Sequence, residues 1–353
     1  MPPASPPRTL TTIGDNDADM TIFQQPWWLE AVSDNRYRAI SAGGDSAFIW
    51  WPFMQERWWG FSLIGAPPMT HILGPVIRLP DSKEVSRASQ RDKLITAALA
   101  QFPHSDGFQQ VLAPDGADAL DFQLAGFEIA VRYTYRLGTQ VPVEALWAGL
   151  KDSARNKVRR ARHNFTLSGD MSMMQFYAFY ESNLHALGRI NHHDEGVYRR
   201  LGEALEKRDR HRIISAVDNA TGKVAAAVLL VWDKGSLYHF RATLDRKVDK
   251  PGASSLLVWE SIQLAAQLGV AFDSDTFYGR GGATFMEAFG VRPAQRLVIS
   301  RKTIALKAAE AIKRRFSPQP RWAIQPEETP GKSQADQTPA AEPATNAAAA
   351  ETA

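Results

Sequence analysis

Residues 212–244 read RIISAVDNATGKVAAAVLLVWDKGSLYHFRATL, and residues 251–275 read PGASSLLVWESIQLAAQLGVAFDSD. A strand over Arg212–Val217 leads into the turn residues DNATG, then into Lys223–Trp232, a nearly unbroken apolar run of the kind buried on both faces. Asp233–Gly235 reverses the chain into Ser236–Leu244, so the segment is an antiparallel meander. The second stretch opens on Pro-Gly and small residues, continues as an almost wholly apolar helix and stops at Gly269, after which VAFDSD returns to strand. Helices are expected before the meander, over 143–163, 171–188 and 196–207. After it come a short helix at FMEAF (285–289), a strand at AQRLVIS (294–300) and a basic amphipathic helix over 303–316. Helices, antiparallel strands, a buried helix and strands again make an α+β order that a doubly wound parallel sheet does not fit.

Upstream, residues 21–137 form a separate unit of strands and loops with one clear helix over 91–101 and a short strand over 108–112. SAFIWWPF (46–53) and WWGFSLI (58–64) are aromatic-rich strands, with Met54–Arg57 as the expected connection. GAPPMTHILGPVI (65–77) is punctuated by proline and glycine and reads as extended loop. Six of the ten tryptophans fall between 27 and 59, which favours a packed aromatic hairpin over a ligand platform. The expected organisation is a disordered leader over 1–20, with Met1 and Met20 both acceptable starts, units over 21–137 and 138–316, and a disordered Ala/Pro-rich tail over 317–353.

With 353 residues, 44% of them hydrophobic, the chain can bury a real core. It has no cysteine, which excludes a disulfide framework, a thiolate metal site and a cysteine nucleophile. Neither a secretory signal nor an apolar run of about 18 residues is present, so a cytoplasmic protein is expected. The formal charge is +3, but residues 1–20 carry −2 and 317–353 carry −3, leaving +8 on residues 21–316. A basic body suits an anionic partner.

Trp147 followed by RNKVRRARHN (155–164) is similar to the segment that opens the second unit of FemAB-type proteins, aminoacyltransferases of the GNAT superfamily. GASSLLVWESIQLAAQLGVAFDSD (252–275) resembles that family's helix–strand pair, FMEAFG (285–290) its "F-K-x-x-F-G" signature, and PPMTHILGPVI (67–77) its proline-rich "Y-L-G-P" loop. The likeness covers about 21–305 and implies two GNAT-like units of mixed, largely antiparallel sheet with flanking helices, the first degenerate. The family's lysine is Met286 here, so its contact does not carry over. The acyl-CoA loop "Q/R-x-x-G-x-G/A" aligns with Val248, Pro251 and Ala253, and the proline lacks an amide such a loop would use. The resemblance therefore implies transfer of an acyl or aminoacyl group to an amine of a cell-envelope precursor. The donor is aminoacyl-tRNA or, less well matched, acyl-CoA, and no cofactor is firmly implied. A non-catalytic GNAT-like module in envelope assembly and a CoA-dependent N-acetyltransferase are the rival readings.

Acyl transfer to an amine needs a proton acceptor and a positioned carbonyl, and no metal. Asp273 and Asp275 share one side of their strand and are the catalytic candidates, one expected to accept the amine proton and the other either to share that role or to cap the glycine-rich turn; Tyr278 and Arg280 beside them are expected substrate contacts. His239, Arg241 and Thr243 are expected on one face of their strand, with Tyr238 on the other; His239 is a catalytic candidate and Tyr238 and Arg241 substrate contacts. Arg189, Asn191 and His192 in GRINHHDEG are substrate-side candidates, balanced against a helix-capping loop; adjacent histidines make a poor metal site. Gly279, Gly281 and Gly282 lack the Lys-Ser/Thr of a P-loop and are expected to form a tight turn. Arg155, Arg159, Arg160 and Arg162 either form a solvated face or meet tRNA, an anionic envelope precursor or the inner-membrane surface; DNA is not expected.

Overall fold

The computed structural model describes residues 20–114, 119–138, 141–248, 250–275 and 280–316, without the side chains of 314–316. The first half runs through a 3-10 turn (Ile22–Gln24), α1 (Pro26–Ser33), β1 (Arg38–Gly43), β2 (Phe48–Trp58), β3 (Phe61–Gly65) and β4 (Val76–Arg78). It continues with α2 (Glu84–Leu99), β5 (Gly107–Val111), α3 (Ala119–Leu124) and β6 (Glu128–Leu137). The second opens with α4 (Val143–Gly149), α5 (Asp152–Asn164), β7 (Phe165–Ser168), α6 (Met173–Ala186) and α7 (Glu195–Glu206). Then come β8 (His211–Asp218), β9 (Val224–Trp232), β10 (Ser236–Leu244), α8 (Ala253–Leu268), β11 (Ala271–Asp273), α9 (Arg280–Glu287), β12 (Arg292–Lys302) and α10 (Ile304–Phe316).

The strands join in one sheet, in the order β1-β2-β3-β5-β12-β6-β11-β10-β9-β8-β7, with β4 pairing off this path to β2. Among the described residues, only β3/β5 and β10/β11 are parallel. Each of those pairs needs a crossover, supplied by α2 in the first half and α8 in the second. The two halves thus repeat one arrangement, and each lends its last strand to the other. β12 lies between β5 and β6, and β6 pairs with both β12 and β11. This is the expected mixed α+β architecture with two like units.

β9 shows why the meander is so apolar. Val228 and Leu230 pack with α8 and α5 on one face, while Ala227, Leu229 and Val231 pack with α1, α6 and α7 on the other. α8 is apolar almost all round because α5 covers the side that the sheet does not. A third core joins α2 and α3 to the first half through Trp51, Phe53, Leu94, Ile95 and Phe122. Trp50 and Trp51 are fully buried, as a packed hairpin requires.

Several sequence-based boundaries shift. β2 runs straight through Met54–Arg57, and the reversal falls at Trp59–Gly60, both at positive φ (50° and 86°), as a two-residue hairpin turn requires. α2 starts at Glu84 rather than 91; only Leu94, Ile95 and Ala98 are buried, so its first turns carry no apolar period. The expected helix over 143–163 breaks at Leu150–Lys151, where the chain is extended and the Lys151 N–H bonds the Ala288 carbonyl at 2.9 Å. Gly281 and Gly282 lie inside α9 rather than in a turn before it, and Gly279 falls outside the described residues, as do the leader to residue 19 and the tail from 317.

Candidate active site at the junction of the two halves

β11 ends in the middle of the sheet. Phe272 points into the α8 core, so Asp273 projects from the opposite face. Its Oδ1 accepts the Thr134 hydroxyl at 2.5 Å and the Asp275 N–H at 2.8 Å, and lies 3.0 Å from Arg296 Nη2. Its Oδ2 is 3.4 Å from Arg136 Nε. Asp275 sits at φ 58°, in the left-handed region, which turns its carboxylate back over the same face. There Oδ1 accepts from Arg296 Nη1 at 2.7 Å, and Oδ2 lies 2.5 Å from Nδ1 of His71.

Both aspartate side chains have 0% exposure, and Arg296 has 7%. Buried charges persist only when paired and hydrogen-bonded, and this cluster meets that condition. Burial lowers the Arg296 pKa, but Asp273 and Asp275 together outweigh it, and the guanidinium is held above its ordinary range. The aspartates are therefore anchored counter-ions of β12. Asp→Asn at either position removes charge from a buried pair, so neither substitution is silent for folding, contrary to what their sequence position suggests.

His71 comes from the other half. Its loop is pinned by the Leu73 N–H to the Val111 carbonyl (2.7 Å), Gln24 Nε2 to the Gly74 carbonyl (3.3 Å) and Trp28 Nε1 to Thr70 Oγ1 (3.3 Å). The imidazole packs beside the rings of Phe23 and Phe240, with centroids at 5.4 and 4.8 Å. A carboxylate on Nδ1 fixes the proton there and leaves Nε2 as the basic nitrogen. First half and second half thus meet in one carboxylate–imidazole pair, the arrangement that orients a general base.

The other sequence candidates fall elsewhere. Along β10 the register against β9 slips between Tyr238 and Arg241, a bulge that inserts one residue. The expected common face of His239, Arg241 and Thr243 is therefore broken. His239 is buried against α8, its Nδ1 3.0 Å from Ser261 Oγ. Arg241 and Thr243 face α6, where they meet Tyr180 (3.4 Å) and Asn183 (3.0 Å). Tyr238 is buried and donates to Asp233 at 3.0 Å; burial and then the Asp233 charge push its phenol well above the usual range, so it stays neutral.

In the 188–196 loop, Asp194 caps α7 through the Val197 N–H (3.0 Å), and Asn191 bridges Glu181 (3.2 Å) and the His193 N–H (3.1 Å). Arg189 N–H closes onto the Leu184 carbonyl (3.0 Å), while the His192 side chain is exposed. This is the helix-capping reading. Arg280 begins α9 and is exposed; Tyr278 lies outside the described residues. Arg155 is not a solvated cation: its Nη1 donates to the Ala148 and Leu150 carbonyls at 2.8 and 2.7 Å, and its Nη2 pairs with Asp152, closing the end of α4. Arg159 and Arg162 each sit 5.7 Å over the Trp147 ring, and Arg160 is exposed. His71, Thr134, Arg136 and Arg296 were not singled out by the sequence. The one available signal was an arginine inside the apolar strand AQRLVIS.

The α8 N-terminus, where an acyl-CoA loop would hold pyrophosphate, is covered. Ala253, Ser255 and Leu256 are buried, and a Cβ on Gly252 (φ 108°) would meet Ala161 Cβ at 3.0 Å and the Lys157 carbonyl oxygen at 3.2 Å. α5 thus packs directly on this turn. Gly252→Ala is expected to destabilise the protein by about 1–3 kcal/mol, from backbone strain and crowding; a thermal melt matching wild type would show that α5 yields there.

Residues 151–285, from the start of α5 into α9, match the acetyltransferase (GNAT) domain family. No curated relative matches the chain in sequence. Among solved structures, FemX superposes with a TM-score of 0.59 at 11% identity, over 83% of this chain and 94% of its own. The C-terminal domain of a putative lysylphosphatidylglycerol synthetase from Agrobacterium fabrum gives 0.50 at 14% identity, over 86% and 93%. L-PGS from Bacillus licheniformis gives 0.50 at 12% identity, over 83% and 92%. At such identities the likeness is one of fold. It spans both halves, whereas the family match lies in the second.

Proposed function

We propose, from a GNAT acetyltransferase domain set within a FemX-like fold, that this protein transfers an acyl or aminoacyl group to an amine of an anionic cell-envelope precursor. The observation that carries the reading is the His71–Asp275 pair, assembled across the two halves. The acceptor nitrogen attacks the donor carbonyl carbon, and Nε2 of His71 takes the proton released from that nitrogen. Collapse of the tetrahedral adduct breaks the carbonyl bond to the leaving oxygen or sulfur, to which the imidazolium returns its proton. Asp275 orients the imidazole and stabilises its charged form, and Arg296 holds Asp275 in place.

The donor we favour is an aminoacyl ester, such as aminoacyl-tRNA, over acyl-CoA, because α5 buries the first turn of α8. The lysylphosphatidylglycerol synthetase neighbour, whose name records a lysyl group on a phospholipid, fits that preference. Among the described residues no helix is long and apolar enough to cross a membrane. We place the reaction in the cytoplasm, at the inner-membrane surface, where such precursors are built.

The donor assignment is tested by calorimetry. Acetyl-CoA is expected to show no saturable binding in the low-micromolar range, while an aminoacylated tRNA competes for the protein. Low-micromolar acetyl-CoA affinity would transfer the assignment to a CoA-dependent N-acetyltransferase.

A further inference from the structure

The sheet face that carries Arg296 extends to a second surface. Residues paired across a ladder share a face, so Lys302, Ser300 and Arg296 of β12 lie together with Gly107, opposite Lys302, and Glu128, opposite Ser300. Leu63 pairs with Gly107 and Trp58 with Phe61, which carries the same face out to the β2–β3 hairpin turn. α10 rests on this surface. Leu306 is fully buried, and a Cβ on Gly107 would meet its Cδ2 at 2.7 Å. Glu310 pairs with Lys302 at 3.0 Å and Lys307 with Glu128 at 2.6 Å. Lys313 Nζ stands over the rings of Trp58 and Trp59, at 4.7 and 5.6 Å from their centroids. Glu128 and Thr134, the hydroxyl partner of Asp273, lie on one face of β6 about 20 Å apart. The helix and the aspartate cluster therefore occupy the same side of the sheet.

The outer side of α10 reverses what a surface helix requires. Ile304, Ala308, Ala311 and Ile312 recur at the spacing of one helical face, and all are exposed, Ile304 by 87% and Ile312 by 61%. At the hairpin turn Trp59 is 72% exposed, its ring stacked on Trp58 with centroids 5.2 Å apart. Lys307 and Glu310 are matched by the sheet, and the three charges left in the helix sequence, at 313–315, are all positive. A second copy docked on this face would set those cations against their own kind, whereas an anionic surface neutralises them.

We propose that the outer face of α10 and the Trp58–Trp59 hairpin turn dock the protein on a bilayer that contains anionic lipid. The isoleucines enter the acyl boundary, the exposed indole takes the interfacial position that its apolar body and N–H suit, and the cations meet the headgroup phosphates. This rests on the transferase reading, which places the reaction at the inner-membrane surface, and adds to it the face that meets the membrane.

Co-sedimentation of the full chain with vesicles tests the face without any transfer assay. Vesicles of equal parts phosphatidylcholine and phosphatidylglycerol are compared with vesicles of phosphatidylcholine alone. Wild type is expected to bind the mixed vesicles, to release them as salt rises, and to bind pure phosphatidylcholine about tenfold more weakly or less still. Trp59→Ser, and Ile304→Ser combined with Ile312→Ser, are each expected to weaken binding to mixed vesicles by about tenfold or more. Their circular dichroism should match wild type, because the side chains removed are exposed. Val85→Ser, at an exposed apolar position on α2 across the sheet, should leave binding unchanged. His71→Gln should bind vesicles as wild type does, so loss of transfer with intact vesicle binding would separate the two proposals. No binding to mixed vesicles at low salt, or equal binding by wild type and the serine variants of α10 and the hairpin, would overturn the docking face. A monomer–dimer equilibrium that those variants abolish would assign the face to a second copy instead.

Discussion

His71→Gln is expected to lower turnover by about 10²- to 10⁴-fold, the range that a positioned general base supplies. The effect should fall on turnover and leave the fold intact. His71 projects from a loop whose anchors are Leu73, Gln24–Gly74 and Trp28–Thr70, none of which uses the imidazole. Steady-state rates with any donor–acceptor pair that wild type turns over, beside circular dichroism of the variant, provide the check. Asp275→Asn is expected to lose activity as well, but with a loss of stability that His71→Gln does not share. A His71 variant as active as wild type would mean that the proton leaves through substrate or solvent.

Arg296→Met is expected to destabilise the protein by about 3–5 kcal/mol, since removing one member of a buried ion cluster leaves the others uncompensated. Here the residue removed balances two carboxylates with 0% exposure, two residues apart at the end of β11, so the upper part of that range is the expectation. Denaturant unfolding would show it as a lower midpoint. Replacing Arg296 together with both aspartates by apolar residues should recover much of the loss, because a buried ion cluster contributes little net stability over well-packed apolar groups. An unchanged midpoint for the single variant would mean that water reaches the cluster.

The fold was largely legible where the signal is local. The β8–β10 meander and α8 announce themselves as apolar runs between turn residues, and Gly269 ends α8 in the left-handed conformation that glycine permits. The strand exchange carries no such signal. β12 pairs with β5 across about half of the chain's length, and a pairing at that distance leaves no periodicity at either end. The same reason explains the site. Asp273 and Asp275 were visible as a spaced pair of carboxylates, but their burial depends on an arginine in β12 and a hydroxyl in β6. His71 was hidden in a proline-rich loop 204 positions from its partner. The β10 bulge escaped because strict alternation has no place for an extra residue, and that one residue moved Arg241 and Thr243 to the face opposite His239.

The central claim is that one half of the protein delivers an imidazole which the other half orients as a base. Nitrogen-15 spectra of histidine-labelled protein, with His71→Gln used to assign the His71 signal, report which ring nitrogen carries the proton. The account predicts a proton on Nδ1 and a bare Nε2 at neutral pH, with this preference lost in Asp275→Asn. A His71 protonated on Nε2 alone, or one whose tautomer ignores Asp275, would contradict it.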